Sequence, residues 1–418
     1  MKRETLYRLW CLCGVALAVL LAFSGCLWGR KPNPGGTQGE LDRRLVTASN
    51  DLGFRLYAQL AKQGGESNIF ISPTSIGLAL AMTYNGAEGT TKEAMAKALG
   101  LEGMTLEEVN KANGQLLGLL RDPDPKVQLA AANSLWGRQG FTFNEGFMQR
   151  NQDIYGAEVS SLDFQAASSA DTINNWVSEH TRGKIPTVVT PDALREALLL
   201  LINAIYFKGE WSVQFDKSQT QDGPFTRLDG TQKTMPMMRQ KDEFQYLATE
   251  EFQALSLPYG NKAVSMYLFL PKAQAGLPDF IKGLTRENWD KWMEQFADSE
   301  GTIVLPRFKA DYKTSLKQAL CGLGMGVAFT EGADFSGMLP SDAQARIEGK
   351  PYLTDAIHKT MLEVNEEGTE AAAVTVIGVG ITAVSREFNM VVDHPFFLAI
   401  GDNRTGALLF MGSIVDPQ

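Results

Sequence analysis

The order of local patterns along the chain, with helices first and strands later, limits the possible fold more than any other feature. Apolar residues recur at helical spacing from Leu45 to Lys62, and "TSIGLALAMTYNGA", "TTKEAMAKALG" and "LEEVNKANGQLLGLL" continue that pattern. Beyond about residue 125, runs such as "VQLAAANSLW", "VSMYLFLP" and "ALLFMGSIV" are typical of strands. Because helices and strands do not alternate regularly, the order predicts an α+β fold and not a doubly wound one.

The chain is expected to contain one folded domain, residues 45–418, since no linker interrupts it after that point. Residues 1–25 have the layout of a secretory signal peptide, with a basic start and an apolar run from Trp10 to Phe23. This run is too short to span a membrane comfortably. Residues 26–44 are rich in Gly, Pro and polar side chains, so they are expected to form a flexible tether.

The apolar run ends in "LAFSGC", which resembles the lipobox of bacterial lipoproteins. Ser24, Gly25 and Cys26 match the pattern, while Phe23 stands where leucine is usual. The resemblance implies that Cys26 carries acyl chains and anchors an exported protein in the bacterial cell envelope, on the periplasmic face or the cell surface, or that the protein is released from there. The alternative is an ordinary secretory signal with an incidental cysteine.

Cysteine usage and charge argue against a protein stabilised by disulfides and against a nucleic-acid-binding protein. After processing, Cys321 is the one cysteine of four that stays available, so no internal disulfide can form and stability has to come from a large apolar core. The formal charge of the chain is −9, and removing a signal of charge +2 leaves −11. An acidic chain without basic runs argues against a nucleic-acid partner.

No catalytic or metal-binding pattern is evident. His180, His358 and His394 each lie in a segment that explains them structurally, and the chain has neither a nucleophile elbow nor a zinc-helix motif. "GLGMGVAF" lacks the lysine of a phosphate loop, and the carboxylates of "EEGTE" alternate in direction on an extended chain. We therefore expect no enzymatic activity, no metal and no cofactor.

The segment "EEGTEAAAVTVIGVGITAVS" mixes residues that favour helix with residues that favour strand. It belongs to a connection, from Gly368 to Asp393, whose length indicates a functional loop. In an extended conformation, burying Glu370 without a partner would be costly, so its side of the strand should face outward. The opposite side is small or β-branched throughout and should face inward: Thr369, Ala371, Ala373, Thr375, Ile377 and Val379.

Over nearly the whole of residues 45–417, and in the same order, segments of the chain resemble those of the serpins, the serine protease inhibitor superfamily. They include "NIFISPTSIGLALAMTYNGAEGTTKEAMAKALG", "LINAIYFKGEWSVQFD", "HKTMLEVNEEGTEAAA" and "DHPFFLAIGDNRTGALLFMGSI". The resemblance implies a metastable serpin fold with a large central, mostly antiparallel sheet, smaller sheets, eight or nine helices and an exposed reactive loop at about 366–392.

The resemblance also implies a mechanism. The serine of a protease attacks the exposed loop and forms an acyl-enzyme. The cleaved loop then inserts as a strand in the central sheet and traps the covalent complex. The protein would act as a monomeric suicide substrate. The alternative is a non-inhibitory serpin that serves as a binding or structural protein of the cell envelope.

Three groups of residues match the parts of a serpin that control insertion, and none performs covalent chemistry. The hinge of the loop comprises Gly368, Thr369, Glu370, Ala371, Ala372 and Ala373. The shutter beneath the sheet comprises Ser72, Ser75, Asn203 and His358. The breach, where the loop first enters the sheet, comprises Trp211, Glu366 and Arg307, and Glu366 is expected to pair with Arg307.

Two counts along the loop disagree about the reactive bond. Counting about fourteen positions from the hinge glycine, as in similar inhibitors, gives Thr382 followed by Ala383. Counting back from the C-terminal end of the loop gives Val384 followed by Ser385, and Ile381 is a further candidate. The first count is favoured, since insertion depends on the length of the hinge side.

The side chain before the reactive bond determines which protease the loop attracts. All these candidates are β-branched and apolar or nearly so. They suit a small or hydrophobic specificity pocket, so the expected partner is an elastase-like or subtilisin-like serine protease. Arg386 would suit a trypsin-like enzyme, but it requires a hinge side longer than usual.

Overall fold

The structure, a computed structural model, describes residues 41–64, 67–121, 124–273, 276–340, 351–368 and 387–418. The first helix begins at Arg43, so the last two residues of the expected tether, 26–44, belong to the folded part. Glu40–Gln418 form one compact unit. Cys26, the hinge residues after Gly368 and all candidates for the reactive bond lie outside the described residues.

The described residues contain ten α-helices, two of which have only four or five residues. Eight or nine were expected from the family resemblance, and eight have seven residues or more. The helices are α1 (Arg43–Gly64), α2 (Pro73–Tyr84), α3 (Gly89–Leu99), α4 (Leu106–Leu120), α5 (Glu145–Tyr155), α6 (Ser168–His180), α7 (Pro191–Arg195), α8 (Leu277–Gly283), α9 (Arg286–Met293) and α10 (Lys317–Leu320).

Local sequence signals set the ends of the first helices. The side chain of Ser72 accepts a hydrogen bond from the Ser75 N–H, and Pro73 occupies the first helical position, so these two residue types set the start of α2. Gly100 ends α3 in the left-handed conformation, with φ of 68°.

The described residues contain fourteen strands, and thirteen of them lie beyond about residue 125, in the part of the chain whose pattern predicts strands. They are β1 (Ile69–Ile71), β2 (Val127–Arg138), β3 (Glu158–Leu162), β4 (Leu199–Gly209), β5 (Gln221–Thr226), β6 (Gln232–Ala248), β7 (Phe252–Tyr259), β8 (Val264–Pro271), β9 (Ala297–Pro306), β10 (Phe308–Ser315), β11 (Asp355–Val364), β12 (Phe388–Val391), β13 (Phe396–Asp402) and β14 (Leu408–Ile414).

The strands form two sheets: the nine-stranded one is antiparallel except for the β9–β12 pair, and the five-stranded one has two parallel and two antiparallel pairs. One sheet has nine strands in the order β1-β14-β13-β8-β7-β6-β9-β12, with β5 paired to β6. The other has five strands in the order β10-β11-β4-β2-β3. Within the five-stranded sheet, β4 and β11 are parallel neighbours, while their outer neighbours β2 and β10 run antiparallel to them.

Strand β4 is buried on both faces, which explains its nearly continuous apolar sequence. Leu201 and Phe207 face the main core, which is shared with the helices and the nine-stranded sheet. Leu200 and Ile202 face a second, smaller core on the side of α6. The five-stranded sheet therefore lies between two apolar layers.

Three further observations concern the described part of the chain. No helix there has the length and apolar character needed to cross a membrane. Cys321 is half-buried and is not part of a disulfide. Among those residues, no group of three or more His, Cys, Asp or Glu side chains is arranged to hold a metal ion.

Candidate functional site

The seam between β4 and β11 brings together most of the described residues that the sequence singled out. Asp355 to Met361 pair in parallel register with Leu200 to Tyr206. The chain leaves β11 after Val364 and turns at once in residues 365–368, at one end of the seam. The shutter residues lie midway along the seam, and the breach residues lie at this end.

The predicted shutter residues form one buried hydrogen-bonded cluster. His358 of β11 lies opposite Asn203 of β4, and its Nδ1 is 2.6 Å from the Asn203 Oδ1. The Asn203 amide donates to the Ser75 Oγ and to the Asn133 Oδ1, both at 2.6 Å. The Ser72 N–H donates to the His358 Nε2 at 3.1 Å. Sequence reasoning missed Asn133, a lone amide in the apolar run of β2 that could have signalled a buried partner.

His358 is neutral because of its surroundings. Since the Ser72 N–H donates to Nε2, the ring proton is on Nδ1 and is donated to the Asn203 Oδ1. Burial lowers the pKa of His358 from 6.5 to about 3. A second proton, on Nε2, would face the Ser72 N–H, so protonation would break the cluster.

This histidine should make stability depend on pH below neutrality. Its pKa is about 3 in the folded protein and near the ordinary 6.5 in the unfolded chain, so between these values the unfolded chain binds more protons. Stability is therefore lost as the pH falls below 6.5, by about 1.4 kcal/mol per pH unit. The free energy of unfolding, measured in urea between about pH 7.5 and pH 5, should fall more steeply with decreasing pH in the natural protein than in His358→Gln, which keeps all the other titrating groups. Equal slopes would contradict the assignment.

Trp211 fastens the breach end of the seam. Its side chain is 2% exposed, and its indole ring stacks on Tyr259 with 4.3 Å between centroids. The indole Nε1 donates to the carbonyl of Asn365 at 2.9 Å, and the main-chain N–H of Trp211 donates to the carbonyl of Glu367 at 3.1 Å. Through its side chain and its main chain, this residue joins the end of β4 to the segment that follows β11.

Glu366 has a nearer partner than the expected Arg307. Its carboxylate is 5% exposed, and the Arg307 Nη1 lies 3.8 Å from the Glu366 Oε1. The Thr220 hydroxyl donates to the same oxygen at 2.8 Å. Nothing in the local sequence around Thr220 indicates this contact, which depends on how the β4–β5 connection folds back.

Gly368 already lies between the ends of the two strands. It forms antiparallel bridges with Glu210, just after β4, and with Asn365, just after β11. Its φ of 132° favours glycine, and a Cβ at this position would lie 2.2 Å from the carbonyl oxygen of Gly209. Both backbone conformation and space therefore require a glycine at the hinge.

A family model described as Serpin (serine protease inhibitor) matches residues 47–417. The chain belongs to the serpin family. It is 35% identical to a leukocyte elastase inhibitor of Xenopus laevis over 384 residues, which cover 89% of this chain and 99% of that protein. It is 33% identical to human neuroserpin over 382 residues, which cover 88% of this chain and 90% of neuroserpin.

Solved serpin structures have the same fold. The native state of the thermophilic serpin tengpin matches with a TM-score of 0.82 at 29% identity, covering 92% of this chain and 97% of tengpin. Human thyroxine-binding globulin in complex with its hormone matches with a TM-score of 0.80 at 28% identity, covering 90% and 99%. The expected α+β serpin fold is confirmed. Serpins are mostly protease inhibitors and not enzymes.

Proposed function

We propose that this serpin inhibits serine proteases as a suicide substrate whose cleaved loop inserts between β4 and β11. The observation that carries the proposal is the position of Gly368, which is antiparallel to both strand ends at the open end of the seam. A chain that continues in this direction runs along the seam as a sixth strand. It replaces one parallel pairing by two antiparallel ones, which are slightly more stable per residue.

The two bridges at Gly368 give the same register for this strand. In an antiparallel pair, each step forward along one strand is a step back along its partner. The residue seven positions after Gly368 would therefore lie opposite the residue seven positions before Glu210 and the one seven positions before Asn365. That residue is Thr375, and the two partners are Asn203 and His358, which already lie opposite each other. The loop can therefore insert without either strand sliding.

The same register supports the inward side predicted from the sequence. Ala371 would lie between Phe207 and Leu362, both of which are buried in the main core. Glu370 would lie between Lys208 and Glu363, both half-exposed on the opposite face. The small and β-branched set thus meets the core, and the charged residue stays near water.

Thr375 would also restore the hydrogen bonds that insertion breaks. A new strand moves His358 away from Asn203 by about 4.8 Å, which ends their direct contact. A threonine hydroxyl between them can donate one hydrogen bond and accept others, so neither buried group is left without a partner. This match favours an inhibitory serpin over a member whose loop only connects strands.

The proposed target is a serine protease with a small or hydrophobic specificity pocket, elastase-like or subtilisin-like. The β-branched candidates for the reactive bond support this choice, and so do the several similar relatives named leukocyte elastase inhibitor. We retain Thr382–Ala383 as the favoured reactive bond, with Val384–Ser385 and Ile381 as the alternatives. The protein is proposed to act as a monomer.

Incubation with elastase, subtilisin and trypsin tests this function directly. We expect an adduct that survives denaturation with elastase or subtilisin, because the acyl bond is trapped before it hydrolyses. The mass of the released C-terminal peptide identifies the reactive bond. A protease whose active-site serine has been blocked is the matched control and should give no adduct. Complete loop cleavage by all three enzymes without any adduct would contradict the proposal.

Loop cleavage without any adduct is what the second candidate function predicts. The similarity to thyroxine-binding globulin, whose structure holds thyroxine, favours a non-inhibitory serpin that serves as a binding or structural protein of the cell envelope. In such a protein, a protease cleaves the loop as an ordinary substrate and then dissociates without forming an adduct.

We also propose that the mature protein is anchored in the bacterial cell envelope through acyl chains on Cys26. The proposal rests on "LAFSGC" at the end of the apolar run and on the tether-like residues that follow. Incorporation of labelled palmitate in a bacterial host should occur in the natural chain and be lost in Cys26→Ser. Equal labelling of both chains would contradict it.

A further inference from the structure

The connection between β4 and β5 touches the start of the loop at several points. The main-chain N–H of Trp211 donates to the Glu367 carbonyl at 3.1 Å, and that of Phe215 donates to the Glu366 carbonyl at 2.9 Å. The Thr220 hydroxyl donates to the Glu366 carboxylate at 2.8 Å. We call these contacts between residues 211–220 and 365–367 the clasp. They hold the end of β4 to the end of β11.

Lys217 adds an ion pair to the clasp. Its ammonium group binds the carboxylate of Glu367, which is 19% exposed, while Lys217 itself is 64% exposed. Lys217 begins a one-turn 3₁₀-helix, in which the carboxylate of Asp216 accepts hydrogen bonds from the Ser218 N–H at 2.9 Å and from the Ser218 hydroxyl at 2.7 Å. This turn fixes the backbone from which Lys217 reaches across the seam.

The two members of the pair belong to opposite sides of the seam. Lys217 is on the chain that follows β4, and Glu367 is on the chain that follows β11. In the register set by Gly368, Glu367 stays opposite Trp211 when the loop inserts, so the ion pair can persist and hold the start of the inserting strand against the end of β4. We infer that Lys217 is a positioning residue that holds the start of the loop against the end of β4 through its ion pair with Glu367.

This inference rests on the proposed function, in which the loop enters the seam from this end. It also predicts a dependence on salt. Exposed ion pairs are weak and are screened in concentrated salt, so the effect of Lys217 on opening of the clasp should be about two- to fivefold in dilute salt and vanish near 1 M.

Hydrogen exchange at the Trp211 and Phe215 amides measures opening of the clasp, because both amides donate to carbonyl groups at the start of the loop. In low salt, Lys217→Gln and Glu367→Gln should each speed exchange about two- to fivefold. The double variant should be no faster than either single one, since both remove the same interaction. Lys217→Arg should keep the natural rate. In about 1 M salt all variants should converge.

Lys309→Gln is the matched control. Lys309 pairs with Glu363 at 3.1 Å and is 59% exposed, but this pair joins β10 to β11 and does not cross the seam. Its loss should leave exchange at the two amides unchanged. Unchanged exchange in Lys217→Gln, or equal acceleration in Lys309→Gln, would overturn the inference.

The exchange experiment needs no protease, so it separates this inference from the proposed function. Faster exchange in Lys217→Gln supports the inference even where the natural protein forms no adduct with any protease, a result that would overturn the proposed function alone. Adduct formation by the natural protein together with unchanged exchange in Lys217→Gln overturns the inference alone.

Discussion

Cleavage of the loop between Ile381 and Arg386 should raise the temperature at which this serpin unfolds by roughly 10 °C or more. In the five-stranded sheet the seam is closed by one parallel pairing, and insertion replaces it with a strand bonded on both sides that also buries Ile377 and Val379. For a folded domain of this size, roughly 8 kcal/mol of added stability corresponds to about 10 °C, given an unfolding entropy of about 2.1 cal/mol/K per residue.

Calorimetry of intact and cleaved protein measures this shift, and Ala373→Arg supplies the control. In the proposed register Ala373 lies between Ile205 and Thr360, which are both buried, so an arginine there should prevent insertion. The cleaved variant should unfold within a few degrees of its intact form. A natural protein whose cleaved and intact forms unfold at the same temperature would have a loop that does not insert.

Local patterns made much of the fold predictable from the sequence. The apolar run of β4 and the capping of α2 by Ser72 and Pro73 follow from residue types that act on their immediate neighbours. The family resemblance led to Asn203 and His358, and the structure brings them into contact. A polar residue inside an apolar run, such as the missed Asn133, is a further signal that sequence reasoning can use, because burial requires it to find a partner.

The parts that could not be predicted depend on pairing between distant segments. The bridge of Gly368 to Glu210 sets the register in which a strand continuing from the loop would pair with β4, and no local signal specifies it. Thr220 and Lys217 lie in a surface connection where polar residues are ordinary, so their contacts with the start of the loop emerge only once β4 and β11 lie side by side. Such long-range contacts depend on the tertiary fold, which local sequence patterns do not specify.

Two adjacent substitutions should have opposite outcomes if the loop inserts in this register. Ala371→Arg would place a charge between Phe207 and Leu362 in the main core, where an unpaired ion costs several kcal/mol. Insertion should then be slower than hydrolysis of the acyl-enzyme, so the yield of stable adduct with elastase or subtilisin should fall at least about tenfold. The protease should instead cleave the loop repeatedly and stay active.

Glu370→Arg introduces the same side chain one position earlier, on the opposite face. There it would lie between Lys208 and Glu363, both half-exposed, so the guanidinium can remain in water and pair with the carboxylate. Its adduct yield should stay within about twofold of the natural protein, because an exposed pair is worth at most about 1 kcal/mol. Gel quantification of adduct against cleaved protein for both variants distinguishes the two faces. Loss of adduct in Glu370→Arg with retention in Ala371→Arg would mean that the strand inserts with the opposite parity, which the bridges at Gly368 do not allow.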